Sequence, residues 1–149
     1  MIEITGLRVV LPPDVAVLHG IDLAVGPGEF VVILGRSGAG KTTFLRSINR
    51  LVEPTAGTIT IAGRDVTAAG PAELREIRRH IGMIFQQFNL VRRASVLDNV
   101  LAGRLGYVPS LPSLLGRFPP ADRDLALACL AEVGLAELAH RRADTLSGG

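Results

Sequence analysis

Eight residues constrain this chain more than any others: Gly35-Arg36-Ser37-Gly38-Ala39-Gly40-Lys41-Thr42. They fit the phosphate-binding pattern G-x-x-x-x-G-K-[ST] without a gap. With average residue frequencies, a chance match in a chain of this length is expected at roughly 0.5%. The apolar run Phe30-Val31-Val32-Ile33-Leu34 precedes the motif and reads as a buried parallel strand. Residues 43–51 follow and read as a helix, with Phe44, Leu45, Ile48 and Leu51 on one face. Strand, glycine loop and helix are the context the motif requires. Its glycines let backbone N–H groups turn inward around an anion, and the helix N-terminus adds its positive dipole end. Lys41 is expected to reach the β- and γ-phosphates of a nucleotide as a point charge, and Thr42 to place a hydroxyl on Mg²⁺. Lys41 is also the only lysine in the chain; every other basic residue except histidine is an arginine. Arginine's planar fork cannot stand in for a compact ammonium at this position.

The 149 residues suffice for a domain with a real core, and 48% of them are hydrophobic. No apolar run approaches the length of a membrane span. The N-terminus, Met1-Ile2-Glu3-Ile4, lacks the basic and apolar regions of a signal peptide. A single cysteine makes no internal disulfide, which suits a reducing compartment. Cys129 is spaced helically with Leu125 and Val133, so a buried structural thiol is expected. The formal charge of +2 is small. Arginines nevertheless cluster at 75, 78 and 79, at 92 and 93, and at 141 and 142. A solvated face is the ordinary reading of such clusters; contact with an acidic partner surface or with phospholipid headgroups is the alternative.

In chain order, residues 3–10 and 20–25 alternate as two strands, with Leu11-Pro12-Pro13-Asp14 as a turn. Thr58-Ile59-Thr60-Ile61 alternates as a third strand. Residues 71–80 read as a short helix with Pro71 at its start. Ile81-Gly82-Met83-Ile84-Phe85 reads as another buried strand, ending at Gln86-Gln87. Ser95-Val96-Leu97-Asp98 has capping-box spacing and opens a helix to about residue 105. A proline-rich stretch to Pro120 follows, then a helix over 121–133 and a shorter helical piece over 136–141. The composition predicts a mixed α/β core followed by an all-helical arm.

The chain closes on Leu146-Ser147-Gly148-Gly149. Alone this is a weak signal. About a hundred residues after a phosphate loop, and with Gln86 ending a strand in Met83-Ile84-Phe85-Gln86-Gln87-Phe88-Asn89-Leu90, it resembles the ATP-binding subunits of ABC transporters. Those share a phosphate loop, a glutamine loop and an LSGGQ signature in this order. Within that family, Gly103-Arg104-Leu105-Gly106-Tyr107, Ser113-Leu114-Leu115-Gly116-Arg117-Phe118-Pro119, Asp122-Arg123 and Asp144-Thr145-Leu146-Ser147 resemble the arm of phosphonate-import ATPases.

The resemblance implies an α/β fold: a P-loop NTPase (RecA-like) core with an N-terminal antiparallel β subdomain and a helical arm, the C-terminal part of the core missing. Residues 1–90 would form the ATP-binding core and β subdomain, and 91–149 the helical subdomain. The implied function is the ATPase subunit of an ABC importer for phosphonate or a related oxyanion, with ATP and Mg²⁺ as cofactors. An ABC ATPase for another substrate (amino acid, lipoprotein), a soluble ABC-type ATPase acting on nucleic acid, and a P-loop kinase or GTPase are the alternatives. The last would not need residues 146–149, and the compact spacing offers no nucleic-acid groove. Implied partners are a second ATP-binding subunit, transmembrane permease subunits and, through them, a substrate-binding protein; nucleic acid is not among them. The implied location is the cytoplasmic face of the cell membrane, peripherally.

Residue by residue, the resemblance assigns Gly35, Arg36, Ser37, Gly38, Ala39, Gly40, Lys41, Thr42 and Thr43 to the phosphates, with Thr42 and Gln86 at the metal. Gln86, preferred to Gln87 because it follows the strand directly, would sit near the attacking water. Ser147, Gly148 and Gly149 would meet the nucleotide of the other protomer. The family's adenine-stacking aromatic has no counterpart here: no Phe, Tyr or Trp precedes Phe30, and the alignable position is near Leu11. The family's Walker B aspartate, catalytic glutamate and switch histidine would lie beyond Gly149, and His19, His80 and His140 do not replace the last. The chain as given is therefore expected to bind ATP without turning it over at a family-like rate.

Overall fold

In a computed structural model, the structure describes every residue except Gln87, Phe88, Ser110, Leu111, Leu114 and 147–149. The chain folds as two compact units, Met1–Gly82 and Met83–Gly149.

The first unit is built on a four-stranded antiparallel sheet of order β2-β1-β3-β4: β1 Ile2–Leu11, β2 Val15–Val25, β3 Ala56–Ile61 and β4 Arg64–Asp65. Helices α1 (Lys41–Ile48) and α2 (Pro71–Arg79) belong to the same unit. β1 and β2 form a hairpin, closed by the Asp14 N–H donating to the Leu11 carbonyl at 3.0 Å. Simple alternation would place Ile4 and Leu7 on opposite faces of β1, yet both are buried. The ladder shifts register between them, and Gly6 there has φ +59°. This bulge inserts one residue and turns Leu7 and Val9 onto the face of Ile4. The Asp22 carboxylate holds it by accepting from the Gly6 N–H at 2.6 Å. Ile4, Leu7, Val9, Leu18 and Ile59 of the sheet then pack with Phe44, Leu74 and Ile77 of the helices. Each such side chain contributes about 1.5–3 kcal/mol when fully buried.

Two arginines fix where α1 ends. Arg50 Nη1 donates to the carbonyls of Val66, Thr67 and Ala69 at 3.0, 3.2 and 2.7 Å. Arg78 of α2 donates to the carbonyls of Asn49 and Arg50 at 2.9 and 2.8 Å. The Arg78 guanidinium satisfies carbonyls just beyond the C-terminal turn of α1, where a cation complements the helix dipole, and Arg50 ties the same point to the turn after β4. Arg78 is therefore a structural residue rather than part of a solvated face. Asp65, at the end of β4, accepts from the Thr67 hydroxyl and from the N–H groups of Ala68 and Thr67, which hold its carboxyl below the usual carboxylate range.

Two expected strands differ. Residues 30–34 and 81–85 join no ladder among the described residues. Phe30 and Leu34 are 92% and 87% exposed, and Ile84 is fully exposed. A buried parallel strand needs a neighbour on each side, and the described residues supply none. The helix after the loop ends at Ile48, short of Leu51; Leu45 within it and Leu51 beyond it are both exposed, and the buried face narrows to Phe44, Ser47 and the half-buried Ile48.

The second unit is helical: α3 Val96–Ala102, α4 Pro120–Glu132, and 3₁₀ turns Ala136–Leu138 and Ala143–Thr145. Ser95 caps α3, accepting from the Asp98 N–H at 3.0 Å. Val96, Leu97 and Leu101 pack against Ala126 and Leu130 of α4. The Asp122 carboxylate is nearly buried and accepts from Arg104 Nε at 2.6 Å, while the Arg104 guanidinium lies 4.1 Å over the Tyr107 ring. The buried stripe of α4 is thus Asp122, Ala126 and Leu130, and Leu125, Cys129 and Val133 face outward. The expected helix is present, but its phase is one residue off, and the expectation of a buried Cys129 is corrected.

Gly57 sits opposite the bulge at φ +91°, and a Cβ there would lie 2.5 Å from the Gly6 carbonyl oxygen. Gly63 has a similar φ of +78° with open space around it. Gly63→Ala is expected to lose about 1 kcal/mol from the left-handed backbone alone. Gly57→Ala adds a backbone clash and is expected to lose at least about 2 kcal/mol more, read as the difference in urea midpoints at unchanged slope.

Candidate functional site

The glycine loop and the start of α1 form the candidate site, within the first unit. Helix α1 begins at Lys41 and has Gly40 as its N-cap, in the left-handed conformation at φ 85° and with no side-chain cap. Gly38 is also left-handed, at φ +81°, with nothing within 4 Å of where a Cβ would be. Glycine makes both conformations cheap. The Phe44 N–H closes the first helical bond onto the Gly40 carbonyl at 2.8 Å. Among the described residues, the N–H groups of Gly38, Gly40, Lys41 and Thr42 find no protein acceptor. They are the donors a helix start leaves open.

The Lys41 side chain folds back over the loop. Its Nζ donates to the carbonyls of Gly35 at 2.7 Å and Arg36 at 2.8 Å. An ammonium has three donors, so one is left for a ligand. Charge and open N–H groups thus sit together at the positive end of α1. Arg36, Ser37, Gly38, Ala39 and Thr42 are exposed, Gly40, Lys41 and Thr43 half-buried. The Thr42 hydroxyl has no partner among the described residues, whereas the Thr43 carbonyl accepts from Ser47 Oγ at 2.8 Å.

Strand β2 backs the loop. A Cβ on Gly40 would lie 3.1 Å from Leu18 Cδ2, Val17 Cγ1 and the Val17 carbonyl oxygen. Nothing in the sequence singles out Val17 and Leu18, because only the folded hairpin brings them to the motif. A cavity of about 390 Å³ opens beside the loop, lined by Leu18, Ile21 and Leu23 of β2, residues 31–34, Lys41 and Phe44. Leu11 is not among its lining residues; it ends β1, half-buried, paired in register with Val15.

Gln86 belongs to the second unit and is exposed. Ser147, Gly148 and Gly149 lie outside the described residues, as does Gln87. No three of His, Cys, Asp and Glu come together in a metal-ligating group among the described residues. No helix among them is long and apolar enough to cross a membrane.

Comparison with known proteins agrees with this geometry. The family profile described as "ABC transporter" matches residues 18–149. The whole chain is 49% identical to the phosphonates import ATP-binding protein PhnC 2 of Halalkalibacterium halodurans, covering 61% of that protein. It is 53% identical to the phosphonates import ATP-binding protein PhnC of Bacillus thuringiensis subsp. konkukian, covering 58% of it. The chain therefore spans about three-fifths of the length of the curated relatives it matches. Among solved structures, the dimeric ABC transporter cassette MJ0796 aligns over 99% of this chain and 64% of its own, at 32% identity and a TM-score of 0.81. The same cassette bound to ADP and Pi, in a post-hydrolysis state, aligns with a TM-score of 0.76. The family profile covers well over half of the chain, over the residues that carry the phosphate loop and α1: the chain belongs to the ABC transporter family.

Proposed function

We propose that this chain is the nucleotide-binding part of the ATP-hydrolysing subunit of an importer for phosphonates or related oxyanions. The observation that carries the reading is the Lys41 ammonium held at 2.7 and 2.8 Å on the loop carbonyls, beside N–H groups that have no acceptor among the described residues. The substrate class rests on the names of relatives at about half identity.

The polyphosphate of ATP fits this cradle. The N–H groups of Gly38, Gly40, Lys41 and Thr42 would bind its oxygens, and Gly35, Ser37, Ala39 and Thr43 would hold the backbone around them. Arg36 would flank the entrance as an exposed charge. Mg²⁺, when bound, supplies charge to offset the β- and γ-phosphates, and the free Thr42 hydroxyl is the group on this loop that suits it. Gln86 would complete the metal site and orient the attacking water. Ser147, Gly148 and Gly149 would reach the nucleotide of a second ATP-binding subunit, since a serine hydroxyl and glycine N–H groups are close-approach anion donors. Residues 1–90 serve as the binding core in this reading and 91–149 as the arm facing permease subunits, through which a substrate-binding protein joins the complex. The protein would act peripherally at the cytoplasmic face of the membrane.

Two experiments test the reading. Lys41→Ala removes the charge aimed at the β- and γ-phosphates without touching the core. Equilibrium binding of MgATP, followed by calorimetry, is expected to weaken by about tenfold or more. Unchanged affinity in a folded variant would overturn the assignment. For the base, Leu11 lies at the end of the hairpin whose second strand backs Gly40, and aliphatic packing there would replace stacking. Leu11→Tyr is expected to tighten ATP binding by about 1 kcal/mol, roughly fivefold, through the gained ring. No gain, or a loss, would place the adenine elsewhere.

A further inference from the structure

Two arginine pairs far apart in sequence meet on the second unit. Residues 92–96 and 141–144 run antiparallel: the Asp144 N–H donates to the Arg92 carbonyl and the Ala143 N–H to the Ala94 carbonyl, both at 3.0 Å, and the Val96 N–H to the Arg141 carbonyl at 2.9 Å. Ser95 and Arg142 form a β-bridge between them. The adjoining segments carry Arg92, Arg93, Arg141 and Arg142, all exposed. One carboxylate, Asp144, lies among them, and it binds Arg142 through Nη2 at 2.5 Å and Nε at 3.2 Å. The guanidinium groups of Arg92, Arg93 and Arg141 have no acceptor among the described residues.

This arrangement is not that of a solvated face. On α2, by contrast, the charges are paired: Arg79 with Glu76 of the same helix, and Glu73 with Arg64 of β4. Like charges on adjoining segments repel, and Asp144 offsets only Arg142 of the four. The segments are also held firmly. The Asn99 side chain accepts from the Val91 N–H at 2.8 Å and donates to the carbonyls of Val91 and Ser95 at 3.2 and 2.9 Å, pinning the turn to α3. Exposed Leu90 and Val91 adjoin the arginines.

We propose that this four-arginine surface docks an acidic segment of another protein. Arginine forks grip carboxylates two-pronged, and a backbone fixed in advance loses little freedom on binding. Apolar residues beside arginine are also typical of protein interfaces. A lipid bilayer is the poorer match, because three unpaired cations and two small aliphatic groups give it little purchase.

The test uses the 149-residue chain and a fluorescein-labelled peptide, (Glu-Leu-Ala-Glu)₃, with its glutamine counterpart, read by anisotropy at low salt. The acidic peptide is expected to bind at least about tenfold tighter than the glutamine peptide, with affinity falling as salt rises. The triple variant Arg92→Ala, Arg93→Ala, Arg141→Ala is expected to lose about tenfold or more, while Arg75→Ala/Arg123→Ala, which removes two exposed arginines elsewhere, binds as the native chain does. Thermal melting checks that both variants fold. Equal binding by the triple variant would overturn the proposal. So would binding to vesicles of about 30 mol% phosphatidylglycerol that is as tight as binding to the peptide.

Discussion

The site depends on one interaction: the Lys41 ammonium bonded to the carbonyls of Gly35 and Arg36. It joins the first turn of α1 to the start of the loop across five and six residues, so the intervening backbone closes into a ring. Two glycines in left-handed conformations then let the chain turn without a Cβ in the way. The N–H groups left over have no acceptor among the described residues, and the helix adds about half a positive charge at the same place. A guanidinium could not replace the ammonium, because its fixed fork would not meet two carbonyls of one tight loop and still present a donor.

That ring is only as well placed as the elements on either side of it. Behind it, Val17 and Leu18 of β2 stand 3.1 Å from where a Gly40 side chain would begin, so the hairpin sets the depth of the loop. β2 in turn is registered on β1 through the Gly6 bulge and its Asp22 bond. At the far end of α1, Arg50 and Arg78 tie the chain to the turn after β4 and to α2. The helix is held at both ends. The apolar run 30–34 joins no ladder among the described residues, and its residues 31–34 line the cavity beside the loop instead.

The loop is legible in the sequence because its chemistry is local: eight consecutive residues fix the turn, the charge and the helix start. The hairpin and the helices are legible from periodicity, to within a few residues. What escapes the sequence is set by distant partners. Gly6 reads as an ordinary strand glycine until Gly57 and Asp22 are brought against it. Residues 30–34 carry the composition of a buried strand, but a strand exists only with neighbours. Cys129 has helical spacing with Leu125 and Val133, yet the Arg104–Asp122 pair goes with a buried face one residue further on. Arg92 and Arg93 give no hint that Arg141 and Arg142 lie alongside. For the site itself, the roles of Gln86, Leu11 and residues 147–149 rest on family resemblance rather than on geometry.

The central claim is that the loop and the head of α1 recognise polyphosphate, with the base a secondary contact. Competition measures this directly: displacement of a labelled ATP analogue by inorganic tripolyphosphate and, separately, by adenosine, each with Mg²⁺ present. Tripolyphosphate is expected to displace the analogue at concentrations within about tenfold of those needed for ATP, and adenosine to fail at about a hundredfold higher. Displacement by adenosine but not by tripolyphosphate would contradict the account.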